Sequence, residues 1–200
     1  MSIDNFVFVK ENAFSKEFCD SVINDFESYK SKGLARSGQS GIGVNDQVKN
    51  TTDLNIYDFP ELNEKYSETL TSTFNEVLSN EFLGKLPYQK EFDKDQLFFN
   101  PTFYELMQIQ KYTQNKGHYN GWHAEDGNFE MSRRKFVFIL YLNDVDEGGE
   151  TELLYTGLKV QPKKGQLLIH PAPYPFVHKG HTPISDNKYI VTTWLSYVPE

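Results

Sequence analysis

The stretch KYIVTTWLSY, residues 188–197, decides the fold. Successive side chains of a strand point to opposite faces. Tyr189, Val191, Thr193 and Leu195 therefore share one face, and Lys188, Ile190, Thr192 and Trp194 share the other. Both faces are apolar enough to be buried, yet one carries a lysine. Two environments suit that residue. It either snorkels from an edge strand with its ammonium in water, or is a buried cation awaiting an anion, since an unpaired buried ammonium is costly.

Working outward, ELMQIQKY (105–112), RKFVFILYLN (134–143), TELLYTGLKV (151–160) and GQLLIH (165–170) are further short β-rich runs bounded by turn residues. In the first, Met107 and Ile109 share one face while Gln108, Gln110 and Tyr112 share the other. From about residue 97 onward no helical pattern of useful length interrupts these runs. Upstream the texture is helical. Ser15 is a suitable cap for a helix running to about Lys32, with Phe18, Val22, Phe26 and Tyr29 on one face. Asp58 and Glu61 read as a capping box for a second helix with the stripe Leu62, Tyr66, Leu70, Phe74 and Val77. Between them GLARSGQSGIGVNDQVKNTTD (33–53) reads as a long loop, of the kind that serves as a lid or binding loop or is disordered. Helices followed by strands, without alternation, indicate an α+β protein with antiparallel sheets rather than a doubly wound fold. A double-stranded β-helix, or jelly roll, with supporting N-terminal helices is the natural closure. We expect a single domain over residues 1–200, with a helical N-terminal part at about 1–95 and a jelly-roll core at about 96–200.

Composition narrows the function classes. The net charge of −8 lacks the basic surface that nucleic acid requires. No apolar run approaches the roughly 20 residues of a membrane span. The first residues do not read as a secretory signal, so a cytoplasmic protein is expected. One cysteine, Cys19, permits neither an internal disulfide nor a Cys-rich zinc site.

GWHAEDGN (121–128) sets a histidine beside two acids. Chance alone yields about 0.7 His-x-acid matches at this composition, so one match proves nothing. If the segment is extended, His123 and Glu125 project to the same side and Asp126 to the other. Two such ligands plus a distant histidine make the 2-His-1-carboxylate triad of ferrous oxygenases. His118, His170, His178 and His181 are the candidates for the third ligand, and spacing alone does not choose among them.

From Leu106 to Tyr197 the blocks QIQKY, GWHAE, RKFVFILYLND, EGGET, GQLLIHP and HKGHTPISDNKYIVTTWLSY resemble the iron(II)- and 2-oxoglutarate-dependent dioxygenases, specifically their prolyl 4-hydroxylase-like branch. The resemblance implies His123, Glu125 and His178 as iron ligands, the last chosen because its block reads H-x-G ten residues before Lys188. It implies Lys188, Tyr112 and Thr151 as 2-oxoglutarate-binding residues, and Arg134, Trp194 and Tyr119 as residues near a substrate. The implied cofactors are Fe(II), 2-oxoglutarate and O2, with ascorbate as reductant. The implied reaction hydroxylates a C–H bond, of a prolyl residue in a peptide or protein, while 2-oxoglutarate becomes succinate and CO2. A free amino acid or small metabolite is an alternative substrate, and an inactive jelly-roll binding module is an alternative of another class. A zinc hydrolase could use the same two His and one Glu, but would leave Lys188 unexplained. The chain departs from the pattern once, with Glu125 where the family has Asp; His170 stands where many relatives have an apolar aromatic. Trp122, Trp194 and Tyr119 are suited to docking a polyproline II segment, and equally to a core.

Overall fold

A computed structural model describes residues 6–41, 43–85 and 101–199. The position near 95–97 at which strands are expected to take over lies outside them. Among the described residues, thirteen strands and two α-helices follow one another as β1 (Phe8–Lys10), α1 (Lys16–Ser31), β2 (Arg36–Ser37), β3 (Lys49–Asn50), β4 (Thr52–Asn55), α2 (Pro60–Glu76), β5 (Thr102–Tyr104), β6 (Gln108–Tyr112), β7 (His118–His123), β8 (Arg134–Tyr141), β9 (Thr151–Leu153), β10 (Lys159–Val160), β11 (Leu167–Pro171), β12 (His178–Gly180) and β13 (Lys188–Tyr197). Eight strands form a large sheet in the order β1-β11-β8-β13-β6-β4-β2, with β5 added beside β13. Five form a small sheet, β10-β9-β12-β7-β3. The pairings are antiparallel, as the jelly-roll reading requires.

Helix α1 begins as its sequence directs. The Ser15 side chain accepts a hydrogen bond from the Phe18 backbone N–H, and Cys19, Val22 and Phe26 are buried. The capping box at Asp58 and Glu61 does not form. Phe59 is the N-cap, it makes no side-chain cap bond, and Pro60 opens the helix. Proline at the first helical position has a suitable φ and no N–H to satisfy, and it drives the preceding residue out of the helical region. Asp58 instead closes a 3-10 turn and pairs with Arg36 at 2.9 Å. The apolar stripe of α2 is as expected: Leu62, Tyr66, Leu70 and Phe74 are buried, with Val77 just beyond.

The N-terminal part supplies strands as well as helices. β1 pairs with β11 at one edge of the large sheet. Segment 33–53 is no structureless loop: β2 joins the large sheet through β4, whereas β3 pairs with β7 of the small one. The chain thus crosses from one sheet to the other over this stretch. The run at 151–160 likewise folds back on itself, β9 pairing with β10 around Gly157, whose φ of +67° suits glycine.

Two cores lie on opposite faces of the large sheet. On the helical side α1 and α2 pack on Met107, Ile109, Phe138, Leu140, Val191 and Leu195. On the other side Tyr112, Val137, Ile139, Tyr141, Ile190 and Trp194 face the small sheet, from which Val160 and Tyr119 join them. β13 contributes to both, because its successive side chains alternate between the two faces. Its residue faces alternate as the sequence pattern requires. The edge reading of Lys188 therefore fails: the side chain is 1% exposed.

Phe74 joins α2 to the sheet through ring contacts with Phe14, Tyr104 and Phe138, the last at 5.0 Å. Phe74→Ala should lower stability by about 3–5 kcal/mol. Urea unfolding monitored by tryptophan fluorescence would measure it. A loss below 1 kcal/mol would mean that the helices do not depend on this contact.

Candidate metal centre

The site begins with a cross-strand pair. In the register of β7 and β12, His178 lies opposite His123, and their ring centroids are 4.3 Å apart. A backbone carbonyl can only accept. The His123 Nδ1–H therefore donates to Gly121 O at 2.8 Å, and the His178 Nδ1–H to Phe176 O at 3.1 Å. Each Nε2 is left with its lone pair for the site. Glu125, two residues beyond the end of β7, brings Oε1 to 3.4 Å from His123 Nε2 and 3.5 Å from His178 Nε2. The ligand atoms of these three residues lie within 4.8 Å of one another, the one such group of His, Cys, Asp or Glu among the described residues.

The electrostatics suit a cation. Burial pushes the Glu125 carboxyl up, but the adjoining His123 and His178 outweigh burial and hold the group well below the usual carboxylate range. Burial lowers His178, favouring the unprotonated ring that coordination needs. Two imidazole nitrogens and one carboxylate oxygen are the donor set of a 2-His-1-carboxylate centre.

The other histidines do not join. His118 bonds Lys116 O and Gln47 O away from the group. His181 pairs with Glu152. His170, on β11, stands edge-on to His178 at 4.7 Å between ring centroids, but its nitrogens lie outside the group. Its Nδ1 bonds Pro171 O, its Nε2 is buried without a partner, and burial lowers its pKa to about 3.

Two cavities meet at the triad. The larger, about 500 Å³, is bordered by Gln39, Lys49, Trp122, Arg134 and Trp194, together with Tyr119, His123 and Glu125. A smaller pocket of about 40 Å³ shares those last three residues and is otherwise lined by His178, Tyr112, Thr151, Lys188 and their neighbours. Lys188 lies over the Tyr112 ring at 4.5 Å. Its one hydrogen bond among the described residues goes to Gly149 O, at 2.7 Å. Gly148 and Gly149, with φ of +72° and +74°, form the turn that presents this carbonyl, and a β-carbon on Gly148 would meet Thr182 O at 2.4 Å. An ammonium has three donors, so Lys188 retains capacity for an anion. Burial lowers its pKa to about 7.

The sequence-assigned residues thus gather as two sets. Tyr112, Thr151 and Lys188 line the small pocket; Tyr119, Arg134 and Trp194 line the large one. Tyr112 donates to Gln110 Oε1 at 3.3 Å, and Thr151 Oγ1 accepts from Tyr141 at 2.8 Å. Tyr119 stacks on His123, with centroids 3.9 Å apart. Sequence reasoning missed Lys49, Gln39 and Gln110. Gln110 shares the phase of Tyr112 along β6 and could have been found from it. Lys49 and Gln39 lie in the 33–53 stretch, whose length reads as a lid or binding loop but singles out neither residue.

The comparisons agree with this geometry. The family model for the 2OG-Fe(II) oxygenase superfamily matches residues 107–196. Two proteins of Arabidopsis thaliana are similar in sequence. Prolyl 4-hydroxylase 13 is 25% identical over 122 residues, 48% of this chain and 44% of that protein. Probable prolyl 4-hydroxylase 9 is 32% identical over 120 residues, 48% of this chain and 40% of that protein. The matches therefore span less than half of either relative. In structure, a prolyl hydroxylase of Trichoplax adhaerens, solved with a hypoxia inducible factor peptide fragment, aligns with a TM-score of 0.74 at 17% identity, over 96% of this chain and 84% of its own. The fold is shared, and the segment 107–196 that is similar to the 2OG-Fe(II) oxygenase superfamily spans the triad and the small pocket.

Proposed function

We propose that the chain is an Fe(II)- and 2-oxoglutarate-dependent dioxygenase that hydroxylates a prolyl residue in a peptide or protein. The observation that carries this reading is the meeting of a 2-His-1-carboxylate group with a pocket whose inner end holds a buried lysine. His123, Glu125 and His178 would hold the iron. Lys188, with Tyr112 and Thr151, would hold the distal carboxylate of 2-oxoglutarate. Bound together, iron and 2-oxoglutarate supply an O2-dependent oxidation in which one oxygen atom enters the substrate C–H bond and the other enters succinate, with release of CO2. Ascorbate is the reductant to include in the assay, and a cytoplasmic setting accords with the free, buried Cys19.

The protein contributes placement and the exclusion of water. Both imidazoles are oriented by backbone carbonyls before a ligand arrives. Tyr119 covers one face of His123 and lines both cavities. The larger cavity carries aromatic surface to its rim, with Trp122 40% exposed. Such a rim is suited to the flat rings of a proline-rich segment in polyproline II form.

Anaerobic addition of Fe(II) and 2-oxoglutarate should produce the visible charge-transfer band of an iron-chelated keto acid, saturating at one iron per chain. A proline-containing peptide should then gain one oxygen in air by mass spectrometry. Tight zinc binding without that band would favour hydrolytic chemistry instead. His178→Ala should abolish turnover, whereas His170→Ala should retain it, because His170 lies outside the triad. The opposite outcome in a steady-state succinate assay would reassign the third ligand.

Lys188→Met should weaken 2-oxoglutarate binding at least tenfold, since a desolvated pair of this kind contributes about 2–5 kcal/mol, and should leave Fe(II) affinity unchanged. The same variant should be more stable than the parent when both lack 2-oxoglutarate. The folded pKa of Lys188, about 7, lies below its ordinary value of 10.5. The unfolded chain therefore binds the extra proton between these pH values, and stability rises with pH across that window. The gain from Lys188→Met should be largest at pH 7 or below, at several degrees of Tm, and shrink as the pH approaches 10; about 1 kcal/mol moves a domain of this size by 2–4 °C. Thermal melts at two pH values would test the sign.

A further inference from the structure

We propose that Arg134 is the positioning residue of the metal centre, holding the outer oxygen of Glu125 so that only the inner oxygen faces the two histidines. The proposal rests on the iron reading above. Arg134 Nη1 donates to Glu125 Oε2 at 3.2 Å and to Glu125 O at 3.4 Å. The other carboxylate oxygen, Oε1, is the one that meets His123 and His178. One oxygen is thus turned to the guanidinium and one to the metal position.

The guanidinium is itself fixed on two further sides. Its Nε donates to Glu105 Oε2 at 2.9 Å, and its Cζ lies 4.1 Å above the Trp194 ring. Glu105 is held in turn by Ser196 Oγ at 2.6 Å and by Arg133 Nε at 3.4 Å. The side chains of Arg134, Glu105 and Glu125 are 9%, 10% and 12% exposed. A planar fork held this firmly in a low-dielectric setting fixes its partner's orientation far better than a solvated one.

A β-bulge supplies this geometry. Phe136 lies opposite Leu195, but Arg134 lies opposite Ser196, so Lys135 is the extra residue on β8. Phe136 packs toward the helical core and Val137 toward the site. Strict alternation would send Arg134 to the side of Phe136, away from Glu125. The bulge re-aims it.

The arrangement also accounts for the departure from aspartate. Glutamate's extra methylene lets Oε2 reach Arg134 while Oε1 still reaches the histidines. A shorter carboxylate at 125 must give up one of these contacts. Glu125 and Arg134 are therefore a matched pair.

Charge and position make opposite predictions. Removing a cation next to a ligand carboxylate should, by charge alone, tighten binding of a divalent metal. Losing the orientation of that carboxylate should weaken it, and partners of this kind are typically worth 10–100-fold in metal affinity. We would titrate the metal-free full chain anaerobically with Co(II), following its ligand-field absorption, for the parent, Arg134→Met, Arg134→Lys, Glu125→Asp and the Glu125→Asp/Arg134→Met double variant. Arg134→Met should bind Co(II) at least tenfold more weakly. Arg134→Lys, which keeps the charge but not the fork spanning two carboxylates, should also bind more weakly, and it decides the matter if the methionine variant does not fold. Glu125→Asp should weaken binding in the parent and have little further effect beside Arg134→Met, a coupling that independent sites do not show. Unchanged or tighter Co(II) binding in the Arg134 variants, or an equal Glu125→Asp loss in both backgrounds, would overturn the proposal. Absence of Co(II) binding by the parent would overturn the iron reading itself, and the proposal with it.

Discussion

The structure depends on one strand being buried on both of its faces. β13 has the helical core on one face and the small sheet on the other, and its residues from Lys188 to Ser196 are buried. Its helical face carries Tyr189, Val191 and Leu195 into the core built with α1 and α2. Its other face carries Lys188, Ile190 and Trp194 toward the small sheet. The helices hold the large sheet in shape from behind, and the inner face is left to hold charged groups that a simple core would reject. A registry slip of one residue on β13 would exchange the two faces and put Lys188 among the phenylalanines. The apolar packing of the outer face is thus what forbids that slip and keeps Lys188 and Trp194 aimed at the site.

Ionic groups inside a protein are tolerated when each is oriented and partnered. Glu105, Arg134 and Glu125 form a short alternating chain, and each member meets at least one opposite charge. Lys188 is different: one carbonyl and the faces of Tyr112 and Tyr141 are its neighbours. A hydrophobic residue of similar size would be more stable there. Retaining a lysine at that depth is a stability cost consistent with function, and its position in a pocket adjoining the triad is what supports the proposed role of holding an anion whose other end reaches the metal position.

How far this was legible depends on the range of the signal. Period-two alternation carried Lys188, Tyr112 and Trp194 to the correct face, and the apolar stripe of α2 was correct at every position from Leu62 to Phe74. The resemblance pointed to His178, and the structure brings it to the other two residues of the group: His178 lies opposite His123 in the register of two strands 55 residues apart in sequence (178 − 123). Local composition cannot reveal such a register. Local rules also misled. Asp58 and Glu61 have the spacing of a capping box, but Pro60 moves the start of the helix past Asp58. The Gly/Ser-rich stretch at 33–53 looked like a loop because its strands are only two residues long. The turn of Arg134 toward Glu125 depends on a bulge, which one extra residue creates without any distinctive residue type.

His170 shows how the centre controls charge at close range. A histidine packed edge-on against a proposed ligand histidine would, if protonated, set a positive charge beside the proposed metal position. Burial prevents this by lowering its pKa to about 3, so the ring stays neutral throughout the physiological range. Its Nδ1–H is satisfied by Pro171 O. The other nitrogen remains unpartnered, a cost of about 1–3 kcal/mol for a buried polar atom. An apolar aromatic would avoid that cost and fill the same space. What the imidazole adds is an uncharged lone pair within the inner layer of the jelly roll.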